Sequence, residues 1–150
     1  DALSQLKILN LNDNKISSIT GLNSLILLEK LYLDNNHIEK INGLEHLKNL
    51  NFLSLRNNQI DNISNLGTLM SLKSLYLSGN NIRKIKNLNN LHSLERLYLN
   101  DNPIIRLECL NNLKKLTKLV IDSRKLKIPK DLNIKDMDEI REYCRKQREN

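Results

Sequence analysis

The amino-acid sequence predicts an α/β fold, a right-handed solenoid. It would have a concave parallel β-sheet, short 3₁₀ segments or turns on the convex side, and a C-terminal capping helix. Asparagines recur at intervals of 22 residues, and each closes a nine-residue frame Leu-x-x-Leu-x-Leu-x-x-Asn. A fixed period between about 20 and 29 residues is typical of chains that coil into stacked repeats. These asparagines are Asn14, Asn36, Asn58, Asn80 and Asn102.

The frames divide residues 1–126 into six units without insertion or deletion, which leaves little room for a catalytic loop. In a short strand the fourth and sixth residues of a frame point inward, and the third, fifth and seventh point outward. We therefore expect six parallel strands along the concave side. The frames open at Leu6, Leu28, Leu50, Leu72, Leu94 and Leu116.

A second apolar series follows each asparagine. In the first unit it comprises Ile16, Ile19, Leu22 and Leu25, with a spacing of three residues. This spacing suits tight turns or short 3₁₀ segments better than an α-helix, because so few residues separate one strand from the next. The series would fill the convex half of the core.

The asparagine column has a structural interpretation. A side-chain amide at the bend after a strand can satisfy backbone donors and acceptors that would otherwise be buried without partners. In the sixth unit the corresponding residue is Arg124. We therefore expect the column to end at Asn102.

The complete motif, Leu-x-x-Leu-x-Leu-x-x-Asn-x-Ile-x-x-Ile-x-x-Leu-x-x-Leu, is met nearly in full five times between Leu3 and about Leu126. It resembles the 22-residue class of leucine-rich repeats. That class includes the regulatory subunit of protein phosphatase 1, a dynein light chain, a spliceosomal A-prime protein and bacterial internalins. The motif is specific for the fold and does not identify the individual member.

The beginning of the chain carries no visible capping unit. Leu3 precedes Leu6 as Leu25 precedes Leu28, so the chain starts in the tail of a repeat that is otherwise absent. Because solenoids need polar caps over the ends of their cores, we expect a fragment of a longer protein, with further repeats before Asp1.

Residues 127–150 predict a helical cap. The repeat breaks at Ile128-Pro129, and Asp136-Met137-Asp138-Glu139 has the pattern of a capping box that opens a helix to about Arg148. The helix would close the core of the sixth repeat, and the alternative is a helix that binds a partner. Its apolar face comprises Met137, Ile140, Tyr143 and Cys144.

This proline and basic helix also look similar to the segment that joins repeats to the GTPase module in Roco-type proteins. That resemblance implies that the biochemical output would belong to a neighbouring domain.

The composition favours a cytoplasmic protein without a membrane anchor. The 150 residues carry a net charge of +7 and contain no apolar run long enough to span a bilayer. Cys109 and Cys144 form no metal-ligand spacing or disulfide framework, which fits a reducing compartment. From Lys114 onward 12 residues are basic and 7 are acidic, so the excess positive charge lies mainly at the C-terminal end.

The outward columns of the frames predict a partner-binding surface on the concave face. They hold four of the five aromatic residues, and Tyr and Arg dominate interface hot spots. The alternative is that the tyrosines recur with the repeat because aromatic residues stabilise neighbouring strands. The candidate contacts are Lys30, Tyr32, Phe52, Ser54, Arg56, Ser74, Tyr76, Arg96, Tyr98, Asn100 and Lys118.

Six strands would form a face roughly 25 Å across, enough for a standard interface of about 800 Å² per partner. The expected ligand is another protein or a peptide with acidic groups, because basic residues dominate the face. Asp34 and Asp122 interrupt any continuous basic track, which argues against a phosphate backbone.

No enzyme is indicated, and we predict no catalytic residue, metal or cofactor. His37, His46 and His92 fall at different repeat positions, and none is paired with a cysteine or carboxylate at ligand spacing. A glycine-rich phosphate loop is also missing from the sequence.

Two other functions remain open. One is RNA or ribonucleoprotein binding through the tyrosines, Arg96, Lys118 and the basic C-terminal end. The other is a regulatory arm of a larger enzyme, such as a Roco-type GTPase or a phosphatase complex, in which the face packs on another domain of the same chain.

Overall fold

Six parallel β-strands form the concave side of the protein, which confirms the predicted solenoid. The computed structural model describes residues 2–108 and 110–149. Each strand is three residues long, and paired residues in neighbouring strands are 22 positions apart, as Leu31 and Leu53 are. The strands are β1 (Ile8–Asn10), β2 (Lys30–Tyr32), β3 (Phe52–Ser54), β4 (Ser74–Tyr76), β5 (Arg96–Tyr98) and β6 (Lys118–Val120), in that order across the sheet.

The inward leucines of the strands meet the convex apolar series in one continuous core. Leu53 and Leu75, in the middle of the sheet, are fully buried, whereas Leu9 and Leu119 at its two ends are only half-buried. A solenoid buries each coil against its two neighbours, so a coil with a single neighbour keeps part of its core exposed.

The convex side consists of tight turns, as the spacing of three predicts. Leu25 N donates to Leu22 O at 3.0 Å, and Leu28 N donates to Leu25 O at 2.9 Å. These bonds span three residues, as in a 3₁₀-helix, and they recur in the following repeats. Longer 3₁₀ segments lie at Ala2–Gln5 and Ser123–Lys125.

The asparagine column forms a ladder of hydrogen bonds through the core. Asn58 Nδ2 donates to the carbonyl oxygens of Leu33, Leu55 and Arg56 at 3.0 to 3.1 Å. Asn58 Oδ1 accepts from Ile38 N at 3.0 Å. Asn36, Asn80 and Asn102 repeat this arrangement, so each asparagine satisfies backbone groups of its own repeat and of the preceding one.

Asn14, in the first repeat, is the exposed member of this column. Its Nδ2 donates to Leu11 O at 3.1 Å and to Asn12 O at 2.9 Å, both within its own repeat. At the other end of the column, Arg124 is exposed within the 3₁₀ segment Ser123–Lys125.

Two further columns with left-handed backbone stabilise the turns, and neither was predicted. One stands immediately before the ladder, and the other lies on the convex side. Gly, Asn and Asp adopt this conformation more readily than other residues, so their recurrence every 22 positions is the sequence pattern that indicates these left-handed turns. The first column is Asp13, Asn35, Asn57, Gly79 and Asp101, and the second is Gly21, Gly43, Asn65 and Asn87, with φ between 53° and 76°.

The C-terminal helix α1 runs from Met137 to Glu149. Asp136 Oδ1 caps its first turn by accepting from Asp138 N at 2.8 Å and from Glu139 N at 3.2 Å. The predicted capping box forms only in part. Glu139 Oε2 accepts from Asn133 N at 3.0 Å, because Asp136 N already donates to Asn133 O.

Helix α1 packs on the end of the core. Ile140 and Cys144 are buried, and Met137 and Tyr143 are partly buried against the same cluster. Ile140 and Cys144, the centre of the apolar face that a partner-binding helix would present, are therefore occupied within the protein, whereas Tyr143 stays partly exposed. Cys109 lies outside the described residues.

Candidate recognition surface on the concave face

Four aromatic rings form a continuous row across the middle of the concave face. We call Tyr32, Phe52, Tyr76 and Tyr98 the aromatic stack. Their ring centroids are 4.8 Å apart from Tyr32 to Phe52, 5.0 Å from Phe52 to Tyr76, and 4.4 Å from Tyr76 to Tyr98. These distances are typical of favourable aromatic pairs. The row therefore spans strands β2 to β5 without a break.

Phe52 completes the row at a position where the repeat itself would leave a gap. The strand register places Ser54 between Tyr32 and Tyr76, and the serine side chain is too short to reach either ring. The ring of Phe52, two residues earlier in β3, contacts both tyrosines instead. Ser54 is 1% exposed, so it is not a surface contact.

Arg56 lies over the aromatic stack. Its guanidinium carbon is 4.2 Å from the ring centroid of Tyr76 and 5.8 Å from that of Tyr98, which is cation-π geometry. Its backbone N donates to Asp34 Oδ1 at 2.8 Å and so fixes the start of the side chain. Within residues 2–108 and 110–149 the guanidinium takes part in no ion pair.

Burial and the neighbouring Tyr98 raise the pKa of the Tyr76 hydroxyl above 10.0, and Arg56 and Arg96 oppose this shift less strongly. Tyr76 is therefore a neutral hydroxyl at physiological pH, a hydrogen-bonding group at the centre of an apolar row.

The other candidate residues surround the stack with basic and polar groups. Lys30, Arg96 and Lys118 are exposed. Arg96 Nη1 donates to Ser74 Oγ at 3.1 Å and lies 3.9 Å from Glu95 Oε2. Ser74 is 5% exposed, so it supports Arg96 from below rather than offering a contact of its own.

The seventh position of the frame carries several side-chain hydrogen-bond acceptors, and the repeat pattern did not predict this role. Asn12 Oδ1 accepts from Asp34 N at 2.7 Å, and Asp34 Oδ1 accepts from Ser54 Oγ at 2.5 Å as well as from Arg56 N. Asn100 Oδ1 accepts from Ser78 Oγ at 2.6 Å. The recurrence of Asp, Asn or Ser at this position is the sequence pattern that could have predicted these hydrogen bonds.

The three histidines are exposed. Among the described residues, no group of three or more His, Cys, Asp or Glu side chains could hold a metal ion. In the same part of the chain, no helix has the length and apolar character needed to cross a membrane.

The chain belongs to the leucine-rich-repeat family. The family model described as "Leucine Rich repeats (2 copies)" matches residues 4–46 and again residues 48–91. Domains of this family are typically protein-interaction modules and generally non-catalytic. No curated protein sequence matches the chain significantly.

Among solved structures, an internalin C2 from Listeria monocytogenes is similar, with 36% identity and a TM-score of 0.75 over 80% of this chain. A leucine-rich-repeat protein from Leptospira interrogans has 33% identity and a TM-score of 0.73 over 80% of the chain. A second Listeria internalin has 31% identity and a TM-score of 0.72 over 83%. The chain spans 53%, 32% and 37% of these structures, respectively.

Proposed function

We propose that the protein binds another protein or a peptide on its concave face, through the aromatic stack and Arg56, and that the contacted segment carries acidic groups. The observation that carries this proposal is the guanidinium of Arg56, which lies on Tyr76 and has no carboxylate partner in the described structure. An arginine on an aromatic surface can still donate in the plane of its guanidinium, and a carboxylate is the geometric match for those donors.

The rigidity of the surface supports this proposal. Every ring of the stack contacts its neighbour, and the backbone at Arg56 is fixed by Asp34. Such side chains lose little conformational freedom on binding, so most of the contact energy is available for affinity. Aromatic and arginine side chains are also the residue types that contribute most at interface centres.

The charge around the stack supports an acidic ligand. Lys30 lies at one side of the sheet, and Arg96 and Lys118 lie at the other. The carboxylate of Asp34, by contrast, is engaged by Ser54 and Arg56 N. The basic residues would therefore steer a negatively charged partner toward the stack.

Affinity capture from a lysate of the source organism tests the proposal, followed by calorimetry with the purified partner. The Tyr76→Ala/Tyr98→Ala variant should lose the partner, whereas the wild-type chain should keep it at high salt. A matched control is Ile26→Ala/Met70→Ala, which removes two exposed apolar side chains outside the strands.

Equal binding by the wild-type chain and the tyrosine variant would contradict the proposal, as would equal losses in the tyrosine variant and the control. Capture of nucleic acid that salt releases would replace it with RNA or ribonucleoprotein binding. An Arg56→Lys variant measures the role of the planar guanidinium, and we expect roughly tenfold weaker binding.

A further inference from the structure

A second charged surface lies on the side of the solenoid that follows the asparagine ladder, away from the concave face. Arg83, Lys84, Arg106 and Lys127 line it, and we call them the basic flank. Two adjoining clefts of about 400 and about 530 Å³ separate these side chains. The clefts share Arg106 and Glu108, so they lie side by side between the fourth repeat and helix α1, and we call the two together the groove.

The positive charge of the basic flank is not neutralised within the described structure. None of the four cations forms an ion pair in residues 2–108 and 110–149, and Glu108 is the one carboxylate among the described residues that line the two clefts. The basic character is also local. The residues one and two repeats before Arg83 are Asp61 and Glu39, so the same position is acidic in the second and third repeats.

The groove also has apolar walls. Ile105 is 42% exposed, which is unusual for a large aliphatic residue in this protein, and it lines the smaller cleft next to Pro103. Tyr143, from helix α1, lines the larger one. A ligand that filled both clefts would therefore contact both cations and apolar side chains.

We propose that the basic flank is a second docking site, and that it binds an acidic peptide segment of a partner protein that also carries bulky apolar residues. The carboxylates of that segment would pair with Arg83, Lys84 and Arg106, and its apolar side chains would lie against Ile105 and Tyr143. This inference does not rest on the concave face, because the two surfaces share no residue.

The observations favour a peptide over a nucleic acid. Glu108 stands in the path that a continuous phosphate backbone would follow, whereas a peptide can place an uncharged residue there. Tyr143 is the one aromatic residue among the described residues that line the groove, so a row of stacked bases has no platform.

Fluorescence anisotropy with short labelled probes tests the proposal. The probes are a peptide of alternating Glu and Leu, peptides in which Lys replaces Glu or Ser replaces Leu, and an oligothymidylate of the same length. The flank variant is Arg83→Ala/Lys84→Ala/Arg106→Ala. The matched control, Lys15→Ala/Lys40→Ala/Lys48→Ala, removes the same charge from exposed positions outside the groove. Thermal unfolding establishes that both are folded.

We expect the Glu-Leu peptide to bind the wild-type chain and to bind the flank variant about tenfold more weakly, since several rim ion pairs are lost together. The control variant and Tyr76→Ala/Tyr98→Ala should bind like wild type. Ile105→Ser should weaken binding of the Glu-Leu peptide but leave binding of the Glu-Ser peptide unchanged.

Three outcomes would overturn the proposal. Equal losses in the flank and control variants would mean that net charge alone attracts the probe. Tighter binding of the oligothymidylate than of the Glu-Leu peptide would assign the groove to nucleic acid. Loss of the peptide from the Tyr76→Ala/Tyr98→Ala variant alone would assign it to the concave face.

Discussion

The ladder asparagines show how one side chain determines the shape of a repeat. After each strand the backbone turns into the core, and its carbonyl oxygens and amides there have no strand partners. The amide group of Asn58 provides donors and an acceptor at that bend, and a residue of similar size with only one of these functions would replace only part of these bonds.

Replacement of Asn58 by Ala should lower the free energy of unfolding by roughly 2 kcal/mol, because it leaves the buried Ile38 N without a partner and removes one of the two asparagine donors at Leu33 O and at Leu55 O. Asn14→Ala is the matched control. It should cost less than about 1 kcal/mol, since Asn14 is exposed and bonds only within its own repeat. Urea unfolding of both variants measures the difference, and equal costs would contradict this role of burial.

Tyr76 should make the protein less stable at alkaline pH. Its pKa in the folded state lies above the ordinary value of 10.0, because burial and Tyr98 disfavour the tyrosinate. The contribution of Tyr76 to the free energy of unfolding is therefore fully present below pH 10.0 and is lost as the pH rises through the folded-state pKa. Stability measured against pH should fall in that range, and Tyr76→Phe should reduce the fall. An unchanged profile would contradict the assignment.

The sequence predicts the residues of the core and those of the stack to different extents. Inward leucines are predictable because burial requires apolar residues at a fixed period. The contact of Phe52 with Tyr32 and Tyr76 is not, because it depends on the gap left by Ser54 in a neighbouring column. The position of Arg56 over Tyr76 is likewise a contact between two repeats, and the spacing of residues within one frame does not predict it.

At the scale of elements, helix α1 is attached to the repeats by an arginine as well as by apolar contacts. Arg141 Nη2 donates to the carbonyl oxygens of Leu113, Lys114 and Leu116 at 3.2, 3.3 and 2.7 Å. These carbonyls belong to the turn that precedes β6, so the helix supplies donors to the last convex turn of the repeats. The helical pattern predicted the helix, but it did not predict this attachment.

Arg141→Ala should lower the free energy of unfolding by about 2 kcal/mol, because three carbonyl oxygens lose a charged donor. Arg145→Ala is the control, since Arg145 is half-exposed and pairs with Glu142 on the same helix. We expect Arg145→Ala to lower the free energy of unfolding by less than about 1 kcal/mol. Chemical unfolding followed by circular dichroism compares the two, and a larger effect of Arg145 would contradict the attachment.

The pKa of Glu142 predicts how the stability of helix α1 changes in acid. Hydrogen bonds from Arg145 lower the pKa of Glu142 from 4.5 to about 2. Its contribution to helix stability is therefore present above pH 4.5 and is lost as the pH falls toward 2. A pH titration of the Glu142 carboxyl followed by nuclear magnetic resonance should shift upward in Arg145→Ala, and an unchanged midpoint would refute this pairing.

The convex turns depend on backbone conformation. Gly43 and Gly21 both have positive φ, but a Cβ on Gly43 would lie 2.5 Å from the carbonyl oxygen of Ile19, whereas one on Gly21 would meet nothing within 4 Å. Gly43→Ala should therefore destabilise the protein by more than the roughly 1 kcal/mol expected from φ alone for Gly21→Ala. Thermal unfolding of the two variants checks this, and equal shifts would contradict it.

At the scale of the whole molecule, the protein is a linear stack in which the middle repeats are the most completely buried. Leu53 and Leu75 have neighbours on both sides, while Leu9 and Leu119 remain half-buried. In a protein made of these 150 residues, local opening should therefore begin at the two ends of the sheet, since stability is a sum over neighbouring coils.

Hydrogen exchange measures this gradient. The amides of Leu55 and Leu77, which donate to Tyr76 O and Tyr98 O, should exchange at least roughly tenfold more slowly than that of Leu11, which donates to Tyr32 O. All three bonds are 2.9 Å long, so bond length does not distinguish them. Uniform protection along the sheet would contradict a stack that opens from its ends.

The asparagine ladder also sets the order in which the repeats can fold during synthesis. Asn80 donates to Leu55 O and accepts from Ile60 N, so it satisfies groups of the repeat that was synthesised before its own. No repeat can complete these bonds until the next one has left the ribosome. During translation the solenoid should therefore assemble one coil behind the emerging chain, and a nascent chain stalled when Asn58 has just left the exit tunnel would hold a finished second coil and an open third.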